Sequence, residues 1–204
     1  MRKWAPFVPY ITVSIGLFIF QNAWVAALAY HLGMAVCIVL AGVNFSIALT
    51  GGKNLILLAS LAIGLTGGLL LFWLWHYLGI PGDIVQYLLT MGLTTDSWPF
   101  FIIYFILINA LLEELYWRGY LGSNSRRPTV NDFLFSGYHV IVLAGKMNII
   151  WLIGIFLLLS LAGWFWRQVV RRNQGLLSAV LSHLAADASV IITIYYMTTF
   201  SFSS

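Results

Sequence analysis

The chain has 204 residues, of which 61% are hydrophobic and only 8% are charged. A sequence this apolar cannot present a polar surface to water on all sides, which excludes a water-soluble globular protein and predicts an integral membrane protein. The formal net charge of +4 comes from basic residues between the apolar segments, and no basic stripe supports nucleic-acid binding.

Long apolar segments separated by short polar breaks predict about seven transmembrane helices. In chain order they cover residues 4–20, 23–49, 55–78, 98–117, 133–145, 147–166 and 176–200. Residues 79–95, between the third and fourth segments, are typical of a short helix lying at the membrane interface. The alternation typical of β-barrel strands is absent from the sequence. The predicted fold is therefore an all-α, polytopic membrane helix bundle.

No linker, internal repeat or low-complexity tract divides the sequence, and the loops are too short to form a soluble domain. We therefore expect residues 1–204 to form a single integral membrane domain. Such a domain has the lipid bilayer as its main surroundings, and nucleic acid is not expected among its partners.

The loops between the apolar segments predict one orientation in the membrane. With a cytoplasmic amino terminus, every basic residue except Lys146 falls on the inner side, as the positive-inside rule requires. The inner residues are Arg2, Lys3, Lys53, Arg118, Arg126, Arg127, Arg167, Arg171 and Arg172. The sequence thus predicts a multi-pass protein of the cell (inner) membrane, with its amino terminus in the cytoplasm.

The segment 98–117 contains the only two glutamates of the chain, Glu113 and Glu114, and is followed by Arg118. A single charge near the bilayer centre costs roughly 2.5–3.5 kcal/mol, so two adjacent carboxyl groups at membrane depth indicate a functional site. Arg118 lies four residues after Glu114, on the same helix face, and is expected to pair with it. Glu113 would then be the freer carboxylate.

Two later segments carry further ionisable groups: His139 on one, and His183 and Asp187 on the last. Because His183 and Asp187 are four residues apart, they share one face of their helix. Counted from the cytoplasmic ends at about 1.5 Å per residue, Glu113, His139 and His183 lie at depths of roughly 7, 10 and 12 Å. These three side chains are therefore predicted to meet in one layer near the cytoplasmic face.

A carboxylate and two imidazoles in a cavity that admits water are sufficient for hydrolysis. The carboxylate can take a proton from the attacking water, while neighbouring donors stabilise the oxyanion. The same groups are ordinary zinc ligands, but the H-E-x-x-H spacing is absent, so a metal site is the weaker interpretation. A neutralised structural cluster of Glu113, Glu114 and Arg118 is the remaining alternative.

Three motifs occur in order along the chain: Glu113-Glu114-x-x-x-Arg118, Phe135-x-x-x-His139 and His183-x-x-x-Asp187. Together they resemble the CAAX-protease and bacteriocin-processing family of glutamic-type intramembrane endopeptidases, related to the type II CAAX prenyl endopeptidases. The resemblance covers residues 98–200, which would form the catalytic core.

The resemblance implies a role for each of these residues. Glu113 and His139 would activate water, and His183 and the residue at position 187 would stabilise the oxyanion, with Glu114 and Arg118 in support. Many relatives have asparagine at position 187. An ionised Asp187 cannot donate a hydrogen bond, although it could orient His183 or hold it protonated. Neither an obligatory metal nor another cofactor is expected.

The sequence therefore predicts an endopeptidase that cleaves a membrane-embedded, membrane-associated or lipidated peptide or protein. One alternative is a non-enzymatic membrane protein: a proton-linked transporter, or a catalytically lapsed factor for self-immunity or assembly. Another is a metal-dependent hydrolase of lipid or isoprenoid substrates. His31 matches no motif and has no predicted role.

Overall fold

The computed structural model describes residues 2–52 and 54–200, and within this part of the chain all regular structure is helical. Its α-helices are α1 (Val8–Ser14), α2 (Ala23–Leu40), α3 (Asn54–Leu74), α4 (Ile84–Thr90), α5 (Trp98–Glu113), α6 (Val130–Leu143), α7 (Ile149–Asn173) and α8 (Leu177–Thr199). In the described part of the chain, five helical spans are long and apolar enough to cross a membrane: Ala23–Leu40, Leu55–Tyr77, Trp98–Tyr120, Ile149–Asn173 and Leu177–Thr199. Two shorter apolar helices cover Ala5–Ile19 and Val130–Leu143. The predicted all-α membrane bundle is confirmed.

The helix bounds differ from the predicted segments at two places. The segment 23–49 is not one helix, because α2 ends at Leu40 and a separate 3-10 helix, Phe45–Leu49, follows the positive-φ residue Gly42. In contrast, α7 continues past the predicted end at residue 166 to Asn173. Lys53, one of the predicted inner basic residues, lies outside the described residues.

Helix α5 does not end at its last α-helical residue, Glu113. It continues as a π-helix over Glu114–Tyr120, so the change in winding falls between the two glutamates. Such wider turns within helices are uncommon and occur frequently at functional sites. Here the π-helix carries Glu114 and Arg118 into the buried interior of the bundle.

The loop between α5 and α6 is tied to α7 by Arg167, a buried residue. Its guanidinium forms an ion pair of 2.7 Å with Asp132 and donates hydrogen bonds to the backbone carbonyls of Ser125 and Arg127. The side chain of Asp132 also accepts from the backbone N–H of Thr129, which caps the start of α6. Arg167 is therefore a structural cation that stabilises this loop and the first turn of α6.

Helices α3 and α8 approach closely at two glycines. A Cβ atom added to Gly64 would overlap the backbone carbonyl oxygen of Ser182, and one added to Gly68 would overlap that of Ser189. In a bilayer, where the hydrophobic effect does not drive helices together, such small-residue contacts provide much of the packing energy. Gly64 and Gly68 thus fix the position of α8, which carries part of the polar site.

Replacing Gly64 with alanine is therefore expected to lower the free energy of unfolding by about 1–3 kcal/mol, because the added methyl group forces two helix backbones apart. Unfolding in mixed detergent micelles measures the change. Gly154→Ala is the matched control, since a Cβ at that helical position meets no atom within 4 Å. Equal stability of the two variants would contradict close packing at Gly64.

Candidate active site

The site is built around Glu113, whose side chain is only 1% exposed. Its Oε1 accepts hydrogen bonds from two tyrosine hydroxyls, that of Tyr30 on α2 at 2.7 Å and that of Tyr138 on α6 at 2.5 Å. Its Oε2 has no hydrogen-bond partner among the described residues and lies 3.7 Å from Nε2 of His183. One oxygen of Glu113 is thus held in place, and the other is left for chemistry.

Glu114 points to a different set of partners. Its Oε1 accepts from Arg118 at 3.0 Å and from Nδ1 of His183 at 2.8 Å. The predicted pairing of Glu114 with Arg118 is confirmed, and the guanidinium also lies over the ring of Phe135, 4.3 Å from its centroid. Because an ionised carboxylate only accepts, Nδ1 of His183 carries a proton, and Nε2 is turned towards Glu113.

His183 lies between three carboxyl groups and an aromatic wall. Its ring stacks on Trp166 with centroids 4.2 Å apart, and the Trp166 indole N–H donates to Ser182 at 3.0 Å. Nε2 is 3.7 Å from Glu113 and 3.6 Å from Oδ1 of Asp187. Stacking fixes the ring plane and the Glu114 contact fixes its rotation, so the direction of Nε2 is determined.

His139 approaches the same carboxylate from α6. Its Nδ1 lies 2.9 Å from the backbone carbonyl of Phe135, and because a carbonyl only accepts, this nitrogen is the donor. Nε2 lies 3.1 Å from the hydroxyl of Tyr138, which also contacts Glu113. Since the single hydroxyl proton of Tyr138 is donated to Glu113, Nε2 of His139 can hydrogen-bond to this hydroxyl only as a donor, in the protonated imidazole; a neutral His139 has an unpaired Nε2 lone pair here.

Asp187 is held by a line of hydrogen bonds that the motifs do not contain. Oδ2 of Asp187 accepts from the Asn109 side-chain amide at 3.0 Å. The Asn109 carbonyl oxygen lies 3.0 Å from Nε2 of His31, whose Nδ1 lies 2.7 Å from the Tyr104 hydroxyl. With Tyr104 donating to His31 and His31 donating to Asn109, every group in the line has a matching partner.

The structure brings Glu113, His139, His183 and Asp187 together, but it adds residues that sequence reasoning missed. Tyr30 and His31 are neighbours on α2, which the motifs do not include. Asn109 could have been noticed, since it lies one helical turn before Glu113 in an otherwise apolar run. The site therefore draws on α2, through Tyr30 and His31, and on α7, through Trp166, in addition to the three helices predicted.

The arrangement contains the parts needed for hydrolysis. Glu113 offers an unpaired carboxylate oxygen, His139 offers an imidazole nitrogen nearby, and His183 directs a second imidazole nitrogen at the same space. Among the described residues, no group of three or more His, Cys, Asp or Glu side chains is placed to hold a metal ion.

Comparison with known proteins identifies one family. The family model described as type II CAAX prenyl endopeptidase Rce1-like matches residues 94–189, a range that contains all three motifs. The resemblance expected from those motifs is confirmed over this range, and the apolar helices support an integral membrane protein. No curated protein and no solved structure matches the chain.

Proposed function

We propose that this chain, similar over residues 94–189 to the Rce1-like endopeptidases, is an intramembrane endopeptidase that acts on a membrane-associated or lipidated peptide or protein. The observation that carries the proposal is the environment of Glu113. Two tyrosine hydroxyls hold Oε1, and Oε2 is unpaired among the described residues at 3.7 Å from His183. A buried carboxylate oriented in this way is suited to act as a general base.

In the proposed reaction, Glu113 and His139 orient a water molecule, and Oε2 of Glu113 takes its proton as the water oxygen attacks the peptide carbonyl carbon. The N–H at Nε2 of His183 stabilises the negative charge that develops on the carbonyl oxygen. As the tetrahedral intermediate collapses, the C–N bond breaks and the proton held by Glu113 passes to the leaving amine. This chemistry is of the glutamic type and includes no metal.

Glu114, Arg118 and Asp187 act on the histidine that faces the oxyanion. Glu114 holds Nδ1 of His183, and Arg118 balances the charge of Glu114. We assign Asp187 to orienting His183 and stabilising its protonated form, because an ionised carboxylate cannot donate to an oxyanion. The proposed orientation keeps the site near the cytoplasmic face of the cell membrane, where the basic loops are expected.

One observation favours the alternative of a proton-linked transporter. The hydrogen bonds from Tyr104 through His31 and Asn109 to Asp187 form a continuous polar line within an apolar bundle. Buried histidines and carboxylates of this kind also occur in proton relays. Proton transport across vesicle membranes is therefore measured alongside peptide cleavage.

The test is cleavage of a pool of membrane-anchored and lipidated peptides by the purified protein, read by mass spectrometry with and without a chelator. We expect products from the parent that persist in chelator, and a loss of about 10²–10⁴-fold in Glu113→Ala, as for removal of a general base. Asp83→Asn is the control, because it removes an exposed carboxylate outside the site.

Products that are equally abundant with Glu113→Ala would contradict the proposal. Products lost in chelator and restored by zinc would instead support a metal-dependent hydrolase. If a folded parent yields no products and carries protons across vesicle membranes in a pH gradient, the transporter interpretation replaces the protease.

A further inference from the structure

A groove of about 440 Å³ lies between α3 and α7 and is lined by residues of both helices. These two helices both pack on α8, and the groove separates them. Its walls are mainly apolar side chains: Leu55, Ile56, Ala59, Ile63, Phe165 and Val169. The wall residues of α3 extend over about 12 Å of helix, which is enough to cover part of an extended hydrocarbon chain.

Three arginines, Arg126, Arg171 and Arg172, also line the groove. The carbonyl of Arg126 accepts from the Trp164 indole N–H at 2.9 Å, which holds the loop against α7. Nε of Arg171 donates to Gln168 at 2.9 Å, so its two terminal NH₂ groups are left to bind another acceptor. These contacts hold the Arg126 backbone and the Arg171 side chain beside the groove.

Within residues 2–52 and 54–200, no Asp or Glu side chain forms an ion pair with these arginines. The chain has six acidic residues, of which Glu113, Glu114 and Asp187 belong to the site and Asp132 pairs with Arg167. The other two are Asp83 and Asp96. Asp83 follows Leu78, whose carbonyl accepts from the backbone N–H of Asn148 at the start of α7, roughly 35 Å of helix away from Arg171 and Arg172. In the described residues, no ion pair includes an arginine of the groove.

We propose that this groove binds an anionic phospholipid. The phosphate lies between the guanidinium groups of Arg126, Arg171 and Arg172, and an acyl chain lies along the apolar walls. Guanidinium groups bind phosphate oxygens with paired, charge-assisted hydrogen bonds, and a membrane supplies this ligand at high concentration. An anionic peptide would satisfy the arginines but would leave the apolar walls without a matching partner.

The bound lipid would act on packing and not on the reaction. Ser60 lines the groove, and its carbonyl accepts from Ser182 at 2.7 Å, one residue before His183. Ser60 and Ser182 are both buried, so the groove ends before the space between Glu113 and His183. A lipid would therefore fill the gap between α3 and α7 and stabilise the packing of both helices on α8. This inference does not depend on the proposed protease activity.

The test is native mass spectrometry of the protein released from micelles that contain phosphatidylglycerol or phosphatidylcholine with identical acyl chains. We expect the parent to retain phosphatidylglycerol about tenfold more tightly or better, and Arg126→Gln/Arg171→Gln/Arg172→Gln to lose this preference. Arg2→Gln/Lys3→Gln/Arg127→Gln is the matched control, with the same loss of charge at residues that do not line the groove. This control should keep the preference.

Ala59→Phe tests the apolar part independently, because it fills the groove without changing charge. It should weaken retention of both lipids while the arginines keep their preference for phosphatidylglycerol. Equal retention of the two lipids by the parent would overturn the proposal, as would equal losses in the groove and control variants, which would indicate diffuse surface charge. Displacement of phosphatidylglycerol by an unlipidated acidic peptide would also overturn it, in favour of a peptide occupant.

Discussion

Glu113→Gln and His139→Ala are each expected to lower kcat by about 10²–10⁴-fold, and the double variant is expected to be no slower than the worse single variant. Both residues are proposed to act on one water molecule, so removing either disables the same step. The Tyr138 hydroxyl lies 2.5 Å from Glu113 and 3.1 Å from His139, so both side chains adjoin the same tyrosine oxygen. The measurement is kcat for one cleavage site in all four proteins.

The control for this double-mutant cycle of Glu113 and His139 combines Glu113→Gln with Gly154→Ala. Gly154 lies at a helical position where a Cβ meets no atom within 4 Å. That pair should give the product of the two single effects. If the losses of Glu113→Gln and His139→Ala also multiply, the two residues act in separate steps, and the assignment of one shared water is wrong.

The part of the site that could be predicted from the sequence is the part that follows from local spacing. Glu114 and Arg118 are close in sequence and form the expected ion pair, and Phe135 packs beside His139 as neighbours one helical turn apart do. Periodicity on a helix determines which side chains share a face, so these contacts need no knowledge of the tertiary structure.

The contacts that could not be predicted join distant parts of the chain. Tyr30 and Glu113 are separated by 83 positions, and His31 and Asn109 by 78, with two helices and several loops between them. No local pattern fixes how α2 turns towards α5, since α2 is apolar on nearly all sides. The side of α2 that carries Tyr30 and His31 can be assigned to the site only from the tertiary structure.

The end of α7 illustrates a different limit. Arg167, Arg171 and Arg172 are typical of a cytoplasmic loop, and the prediction therefore ended this helix at residue 166. In the structure Arg167 is buried in its ion pair with Asp132, so the helix continues and the charge is neutralised within the protein. A tertiary partner, absent from the local sequence, makes a buried arginine acceptable.

Changes to the hydrogen-bonded pair of Asn109 and Asp187 are expected to lower both stability and activity strongly. Asn109→Asp would place a buried carboxyl group against the partly buried carboxylate of Asp187, where a 3.0 Å hydrogen bond now exists, with no donor between them. We expect a loss of about 3–5 kcal/mol in stability, as for other uncompensated buried charges, and a loss of activity of at least about a hundredfold. Asp187→Asn alone keeps an acceptor for the Asn109 amide and is expected to cost far less.

Exchanging the two residues tests whether the hydrogen bond between positions 109 and 187 matters, whichever position carries the carboxylate. In Asn109→Asp/Asp187→Asn, the carboxylate at 109 can accept from His31 and from the new amide at 187, so every hydrogen bond again has a donor and an acceptor. We expect the exchange to be more stable than Asn109→Asp alone, with a coupling energy of about 1–3 kcal/mol in unfolding experiments that need no substrate. Simple additivity would show that Asn109 does not hold Asp187.

His31 supplies the matched control for this line of hydrogen bonds. His31→Gln keeps a donor for Asn109 and an acceptor for Tyr104, whereas His31→Leu fills similar space with neither. Glutamine should therefore preserve both stability and activity, and leucine should lower kcat with little change in KM, since the substrate is not contacted. If both variants lost activity equally, His31 would act by packing alone, and the orientation of Asp187 would have to come from His183.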